Sequence, residues 1–553
     1  NGTTAAALGV LEERELRALV TEDPETQWVK VRLASRLVRK DDLAGADQVL
    51  KQGIAEFPDS AELKLALGDL YRATKRPAEA MATYREAAAK WPESTPEGLQ
   101  ARNRIVAQHA VDGNIGKARA DIEAILKVAP DNAEALLSRA TFAFLDRRYD
   151  AAIADLRTVL RRDQSSEASL LLARAYVGAG DLVVAKDTYR TLLDRDPTNA
   201  SAAKELAVLL SDEGDAAAAA DILRSFVAVR PDDAEASAAL VQSLIAQRDL
   251  DAAEAEARRA LASGTGGALA EQGLGRVFEA RGSTADALAR YRAVLAEDPG
   301  QVNALEGLTK ILLEEGRAGE AIALLKSYPE DNLDASLLLA KSYLRAGNAG
   351  AAREANERSI RIAPQDARAY LALAALEPTD SAAQRAALER AHKAIPGNPA
   401  IGLFLGSLHS REGRVAEATK VYETVLAKTP DDPVIANNLA SLLLEQPGDD
   451  KARLARALTL AVPLGESGDP LLLDTLGWAY YRNGDFGNAV RTLERAVAAN
   501  GELAVAQYHL GKAYLAAGNP VSAKQHLALA VDKGGTEAAF VADARAELAR
   551  IGG

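Results

Sequence analysis

Residues that could carry out catalysis or bind a metal are few and widely spaced in this sequence of 553 residues. Because there is no cysteine, disulfides, thiolate zinc sites and cysteine nucleophiles are excluded. No histidine stands in the pattern of carboxylates or further histidines that a metal site needs. The histidines are His109, His392, His409, His509 and His526. We therefore predict no catalytic residue, no metal site and no cofactor, and hence a protein that is not an enzyme.

Phosphate-binding chemistry is not indicated either. Gly273-x-Gly275 resembles part of a dinucleotide-binding loop, but it lies inside a helical pattern with no strand before it. Gly113-x-x-Gly116-Lys117 lacks the spacing of a phosphate-binding loop and is typical of a turn between helices. The net charge of −13 argues against nucleic acid as the main partner, because a phosphate backbone needs a basic surface.

The side chains best suited to binding are amides, aromatic rings and charged groups near the C-terminus. Amides can bracket the backbone of an extended peptide, and aromatic rings can bury its side chains. This candidate groove set comprises Asn437, Asn438, Asp474, Trp478, Tyr481, Arg482, Tyr508 and Lys512. The alternative for Trp478 and Tyr481 is that they pack between adjacent helices.

A repeated pattern of small and large residues must position these side chains. In residues 61–94, Gly68 and Ala80 stand at positions 8 and 20, where small residues let two helices approach closely. Tyr84 at position 24 is large and fills the space beside them. Pro92 at position 32 ends the second helix. One such unit cannot bury its apolar faces, so its neighbours must complete the core.

The same register recurs from residue 27 to residue 537 and predicts fifteen units. Glu377-Pro378 interrupts the first helix of one shortened unit, and 446–451 is an insert between the helices of another. Alternating runs of β-branched residues are absent, so we predict an all-α fold. The units are 27–60, 61–94, 99–132, 133–165, 166–199, 200–233, 234–267, 268–301, 302–332, 333–366, 367–398, 399–432, 433–469, 470–503 and 504–537.

This register resembles the 34-residue tetratricopeptide repeat, TPR, over nearly the whole chain. The resemblance implies a right-handed superhelical solenoid in which the first helix of each unit, helix A, lines a concave groove. The second helix, helix B, lies on the convex side. In this family, positions 2, 5, 9 and 12 of helix A face the groove. The candidate groove set lies at or beside such positions.

We predict four parts of the chain. Residues 1–26 form an N-terminal helix or cap, 27–267 an N-terminal arm and 268–536 a C-terminal arm. A glycine-rich run separates the arms, and Gly264–Gly267 is a candidate hinge. Residues 537–553 form a capping helix, whose apolar side would cover the end of the solenoid.

Residues 437–440, 472–484 and 508–511 resemble the C-terminal part of long bacterial TPR proteins of the cell envelope, of the exosortase/PEP-CTERM-linked or exopolysaccharide-export type. The resemblance implies a bacterial scaffold in the periplasm or at the outer membrane, with a cytoplasmic location as the alternative. No apolar run approaches the roughly 18 residues of a membrane span. The sequence begins at Asn1 without a methionine. We therefore expect membrane association only through a missing anchor or a partner.

The leading hypothesis is a non-enzymatic scaffold that binds protein segments in the groove and organises envelope secretion or polymer export. The alternative is a carrier that holds a lipid or polysaccharide in the groove, because alanine and leucine dominate the groove positions of the middle units. A third hypothesis is a regulatory arm of an enzyme encoded elsewhere.

Overall fold

The computed structural model describes residues 16, 27–162, 164–264, 266–535 and 539–552. Every regular element in this part of the chain is a helix, with 31 α-helices and one short 3₁₀ helix. The predicted all-α fold is confirmed. The predicted N-terminal helix or cap lies outside the described residues except for Leu16, which is helical and buried.

The α-helices form fifteen A/B pairs, as the repeat register predicts, and a final unpaired helix follows them. Odd numbers up to α29 are A helices, and even numbers are B helices. The bounds are α1 (Gln27–Arg39), α2 (Leu43–Glu56), α3 (Ala61–Ala73), α4 (Pro77–Lys90), α5 (Pro96–Val111), α6 (Ile115–Val128), α7 (Ala133–Leu145), α8 (Tyr149–Leu160), α9 (Ser166–Gly178), α10 (Leu182–Arg195), α11 (Ala200–Asp212), α12 (Ala216–Val229), α13 (Ala234–Ala246), α14 (Leu250–Ala262), α15 (Gly267–Ala280), α16 (Thr284–Glu297), α17 (Val302–Glu314), α18 (Ala318–Leu325), α19 (Leu333–Arg345), α20 (Ala349–Ile362), α21 (Ala367–Ala375), α22 (Ala382–Ala394), α23 (Pro399–Arg411), α24 (Val415–Leu426), α25 (Pro433–Glu445), α26 (Lys451–Ala461), η1 (Val462–Glu466), α27 (Pro470–Arg482), α28 (Phe486–Ala499), α29 (Ala504–Ala516), α30 (Pro520–Lys533) and α31 (Ala539–Gly552).

Local residue chemistry sets the ends of these helices. Asn199 caps α11, because its side-chain oxygen accepts a hydrogen bond of 3.0 Å from the backbone N–H of Ala202. The turn from helix A to helix B often needs a left-handed residue, as at Gly214 with φ of 83°. The same N-cap arrangement occurs at Ser60, Asn132, Asp233, Asn332, Asn398 and Asp432.

The two helices of a pair approach as closely as the small residues predict. A Cβ atom at Gly68 in α3 would lie 2.3 Å from Cε1 of Tyr84 in α4, which is closer than non-bonded atoms approach. The Tyr84 ring is fully buried and has no space to move into. The same relation holds for Gly275 and Tyr291, for Gly406 and Tyr422, and, with leucine as the large residue, for Gly477 and Leu493 and for Gly511 and Leu527.

The chain forms two compact units, unit 1 (Asn1–Ala293) and unit 2 (Val294–Gly553). Within unit 1, α14 and α15 pack against each other on the two sides of the glycine-rich run. Within unit 2, the consecutive A helices α23, α25, α27 and α29 pack side by side, and α31 packs on α29. The predicted boundary between two arms at 267/268 and the hinge at Gly264–Gly267 stay predictions.

Replacing Gly68 by alanine tests the close approach. Alanine normally favours a helix over glycine by about 0.5–1 kcal/mol. At Gly68 we expect alanine to destabilise the protein instead. The new methyl group would clash with Tyr84 and lower the free energy of unfolding by about 1–3 kcal/mol. Thermal and urea unfolding of the full chain would measure the change.

The matched control is Gly116→Ala in α6, where no atom lies within 4 Å of the added Cβ. This control should be neutral or slightly stabilising. An equal gain of stability in both variants would contradict the packing role of Gly68.

Candidate peptide-binding site

An aromatic stack forms the centre of the predicted C-terminal set. The ring of Trp478 in α27 stacks on Tyr481, with centroids 4.5 Å apart and an interplanar angle of 8°. Its other face stacks on His509 in α29, with centroids 4.1 Å apart and an angle of 14°. Both faces of the indole are therefore covered by neighbouring rings, and a ligand could reach only the edge of Trp478.

Asp474 orients the histidine of this stack. Its carboxylate oxygen Oδ1 lies 2.8 Å from Nδ1 of His509, and Asp474 is buried. The contact satisfies both polar groups and holds the imidazole against Trp478. His509 was not in the predicted groove set, because its carboxylate lies 35 residues away in the chain. The sequence could have indicated this pair, because a separation of about one repeat places the two residues on adjacent A helices.

Tyr508 and Lys512 attach the last described helix, α31. The Tyr508 hydroxyl donates a hydrogen bond of 2.7 Å to Asp543. The Lys512 ammonium donates to Asp543 at 3.0 Å and to Glu547 at 2.8 Å. Burial opposes the charge of Lys512, but these hydrogen bonds outweigh it and raise the pKa of Lys512. Two carboxylates therefore already compensate this cation.

The remaining predicted residues differ in how many of their polar atoms form hydrogen bonds within the chain. Arg482 donates to the carbonyl oxygens of Leu444 and Gly448, and so supports the insert after α25. Asn438 donates to the Val434 carbonyl of its own helix at 2.7 Å. Asn437 keeps a buried side-chain oxygen that has no hydrogen-bond donor in the described part of the chain. Rotation of the Asn437 side chain toward solvent would let that oxygen accept a hydrogen bond from a bound segment.

The structure thus brings together most of the predicted set in adjoining helices. Asp474, Trp478 and Tyr481 lie on α27. Asp474 and Trp478 contact α29, which carries Tyr508 and Lys512. The asparagines lie on the preceding helix α25, which a 3.2 Å contact between the hydroxyls of Ser441 and Thr475 links to α27.

A second candidate site, which was not predicted from the sequence, is an open groove in unit 1. We call it the α9–α11 groove. It encloses about 440 Å³. Val177 and Val208 contribute apolar walls, and the Val208 side chain is 57% exposed. Its lining comprises Phe144, Tyr149, Arg174, Val177, Gly178, Tyr189, Lys204, Glu205, Val208 and Leu209.

Paired charges border the apolar part of the α9–α11 groove. The Arg174 Nε atom donates to both oxygens of Glu205, at 2.9 and 3.1 Å. The Tyr189 hydroxyl donates to the same carboxylate at 2.8 Å. Burial acts against ionisation of Glu205, but these two donors outweigh it and lower its pKa. Lys204 donates to Glu235 at 2.6 Å.

The residue types at the groove positions were visible in the sequence. Lys204 stands at position 5 of its unit, Arg174 and Val208 at position 9, and Val177 at position 12. Each of these residues is ordinary by itself. Only the placement of the two A helices α9 and α11 shows that these residues line one groove.

The described residues show neither a metal-binding group nor a membrane-spanning helix. No group of three or more histidine, aspartate or glutamate side chains in that part of the chain could hold a metal ion. None of its helices has both the length and the apolar character needed to cross a membrane.

Comparison with protein families identifies the repeat. One model described as tetratricopeptide repeat matches residues 31–95, 109–168, 204–268, 323–367 and 475–538, which is more than half of the chain. A second model with the same description matches 143–210, 279–334 and 380–443. No curated protein sequence matches the chain.

Several solved structures are similar to this chain at low sequence identity and low TM-score. The APC/C hetero-tetramer Cut9–Hcn1 is 16% identical, with 99% of this chain and 98% of that chain covered and a TM-score of 0.35. A tetratricopeptide repeat protein from Parabacteroides merdae is 16% identical, with 44% and 98% covered and a TM-score of 0.34. Naa15/Naa10 bound to HypK is 17% identical, with 97% and 93% covered and a TM-score of 0.33.

The contacts of Lys512 predict how α31 is held. Lys512→Met keeps the length of the side chain but removes the charge that two carboxylates share. We expect the docking of α31 to weaken by about 1–3 kcal/mol, because charged hydrogen bonds are lost. Hydrogen exchange of amides in 539–552 would measure this as faster exchange. Lys533→Met is the matched control, because Lys533 pairs with the exposed Glu502. Equal exchange in wild type and Lys512→Met would contradict the role of Lys512.

The same contacts predict that acid releases α31. Lys512 and Arg550 lower the pKa of Glu547, and Tyr508 and Lys512 lower that of Asp543 against the opposing effect of burial. Carboxyls with a lowered folded-state pKa stabilise the fold above their unfolded-state pKa and lose this contribution as the pH falls through the folded value. Protection of α31 should therefore decline from about pH 4.5 downward. The decline should be smaller in Lys512→Met, and an identical pH profile would contradict the assignment.

Proposed function

This chain belongs to the tetratricopeptide repeat family, and we propose that it is a non-enzymatic scaffold that binds segments of other proteins on its A helices. The observation that carries the proposal is the α9–α11 groove. Successive A helices form there an open surface with apolar walls and polar borders. Such a surface suits an extended or helical segment that inserts an apolar side chain between fixed charges.

The chemistry of the groove indicates the kind of segment. The exposed apolar surface of Val177 and Val208 would pack against an aliphatic or aromatic side chain. Because Arg174 is paired with Glu205 and Lys204 with Glu235, the border presents both signs of charge at fixed places. A segment with one apolar anchor and flanking residues of both signs fits this border better than a uniformly charged segment.

The predicted C-terminal set is proposed as a smaller, second contact. Most of its polar groups bond within the chain, and the groups we propose for a ligand are the ring edge of Trp478 and the Asn437 side chain, whose buried oxygen would have to rotate outward. This contact would be a binding site of its own in unit 2, separate from the α9–α11 groove in unit 1.

The proposed location is the bacterial cell envelope, where the scaffold would organise secretion or polymer-export machinery. Support comes from the sequence resemblance of residues 437–440, 472–484 and 508–511. Affinity purification from separate envelope and cytosol fractions, with mass spectrometry of proteins and small molecules, tests it. Envelope secretion or export proteins are the expected result. A dominant lipid or glycan without a protein would contradict the scaffold and favour the carrier.

A charge placed in the groove tests the main proposal. Val208→Asp should weaken binding of a peptide selected on the wild-type protein by about tenfold or more, because a carboxylate would replace the apolar contact. Peptides selected from a random library, with affinities measured by calorimetry, provide the readout.

Val183→Asp in α10 is the matched control. Val183 is 76% exposed and does not line the groove. Substitution at either exposed valine should leave thermal unfolding nearly unchanged. If both variants bind the selected peptide as tightly as the wild type, the α9–α11 groove is not the binding site.

A further inference from the structure

The shortest A helix in the described part of the chain is α21, in unit 2. It has nine residues, whereas the next A helix, α23, has thirteen. The helix ends at Ala375 because Pro378 follows, and the residue before a proline disfavours helical geometry. The last turn of a normal A helix is therefore missing from this unit.

The missing turn removes a side chain that fills the core elsewhere. Position 11 of helix A is buried Tyr71 in α3 and buried His409 in α23. The residue at this position after α21 is Glu377, whose carboxylate instead accepts a hydrogen bond of 2.6 Å from Arg353. Position 11 therefore adds no large side chain to the space between α21, α22 and α23, although Leu371 of α21 lines part of it.

A cavity of about 490 Å³ occupies this space, and we call it the α21–α23 cavity. Leu388 and Leu408 form buried walls, and the Phe404 ring stands at the rim with 56% of its surface exposed. The cavity is lined by Leu371, Ala372, Ala374, Ala375, Thr379, Gln384, Leu388, Phe404, Leu408 and Arg411. Its volume lies in the range of about 300–1,000 Å³ of small-molecule sites.

The few polar groups at one side of the cavity have no net charge, because the charged ones are paired. Arg411 donates to Asp380 at 2.6 Å, so this cation is already compensated. The Gln384 side-chain oxygen accepts a hydrogen bond of 2.9 Å from the backbone N–H of Asp380. An anionic ligand would meet Asp380 and a cationic ligand would meet Arg411, so neither charge is favoured. An uncharged group could still form hydrogen bonds with Thr379 or Arg411.

We propose that the α21–α23 cavity binds an uncharged, mainly apolar small molecule with a hydrogen-bonding group at one end. Apolar cavities bind apolar molecules in preference to water, because water finds no hydrogen-bond partners on their walls. This site is separate from the α9–α11 groove, which belongs to unit 1. It gives the scaffold a small-molecule ligand that is independent of peptide binding.

The test uses the uncharged fluorescent probe N-phenyl-1-naphthylamine with the full chain. Saturable binding at one site per chain is expected for the wild type. Ala375→Trp places an indole at the exposed edge of the cavity and should weaken binding by about tenfold or more, because it fills the space. Ala217→Trp, at an exposed alanine in α12, is the matched control and should bind the probe like the wild type.

Two further variants make the outcome decisive. Phe404→Ser removes an exposed wall of the cavity without filling it, and should weaken binding by about fivefold. Val208→Asp should leave probe binding unchanged, which separates this proposal from the peptide-binding function. Circular dichroism confirms that each variant is folded. Absence of saturable binding to the wild type, or equal binding by wild type, Ala375→Trp and Phe404→Ser, would overturn the proposal.

Discussion

The close contact between a small residue on helix A and a large residue on helix B is the constraint on which the repeats depend. Where the large residue is tyrosine, burial of its ring also requires a partner for its hydroxyl group. Tyr84 donates to Asp69, Tyr189 to Glu205 and Tyr291 to Glu279. In these three contacts the tyrosine is partnered by an acid on an A helix, whereas the Tyr422 hydroxyl lies 3.2 Å from that of Ser407. In the α9–α11 groove, that acid is Glu205, which also holds Arg174 beside the apolar walls.

Departures from the repeat create surface features that regular units lack. The unit of α21 and α22 has lost the turn that would carry a large side chain at position 11, and the α21–α23 cavity lies in its place. The unit of α25 and α26 has gained residues instead of losing them. Arg482 donates hydrogen bonds to carbonyl oxygens at the end of α25 and in this insert. Functional sites are expected at such departures, because good packing alone would favour the regular pattern.

The end of a solenoid needs a helix that covers its last apolar face. In this chain, α31 packs on α29, and Tyr508 and Lys512 hold it through Asp543 and Glu547; its role as such a cap stays a prediction. Both residues stand at positions that face the groove in this family. In this unit such positions meet α31 instead, so residue types that suit ligand recognition can also secure the fold. The stacked rings of Trp478 and His509 join the adjoining A helices in a similar way.

The sequence by itself determined the helix pairs, their number and most of their ends. These depend on local residue types, such as Gly68 opposite Tyr84, the cap at Asn199 and the proline after α21, and they repeat at a fixed spacing. It also placed the binding-type residues on particular helices. Only the tertiary structure decided which of them bond within the chain, because their partners lie about one repeat away, as His509 does from Asp474. Sequence spacing states which helix face a residue occupies, whereas the distance between neighbouring helices decides whether that face is filled, bonded or open.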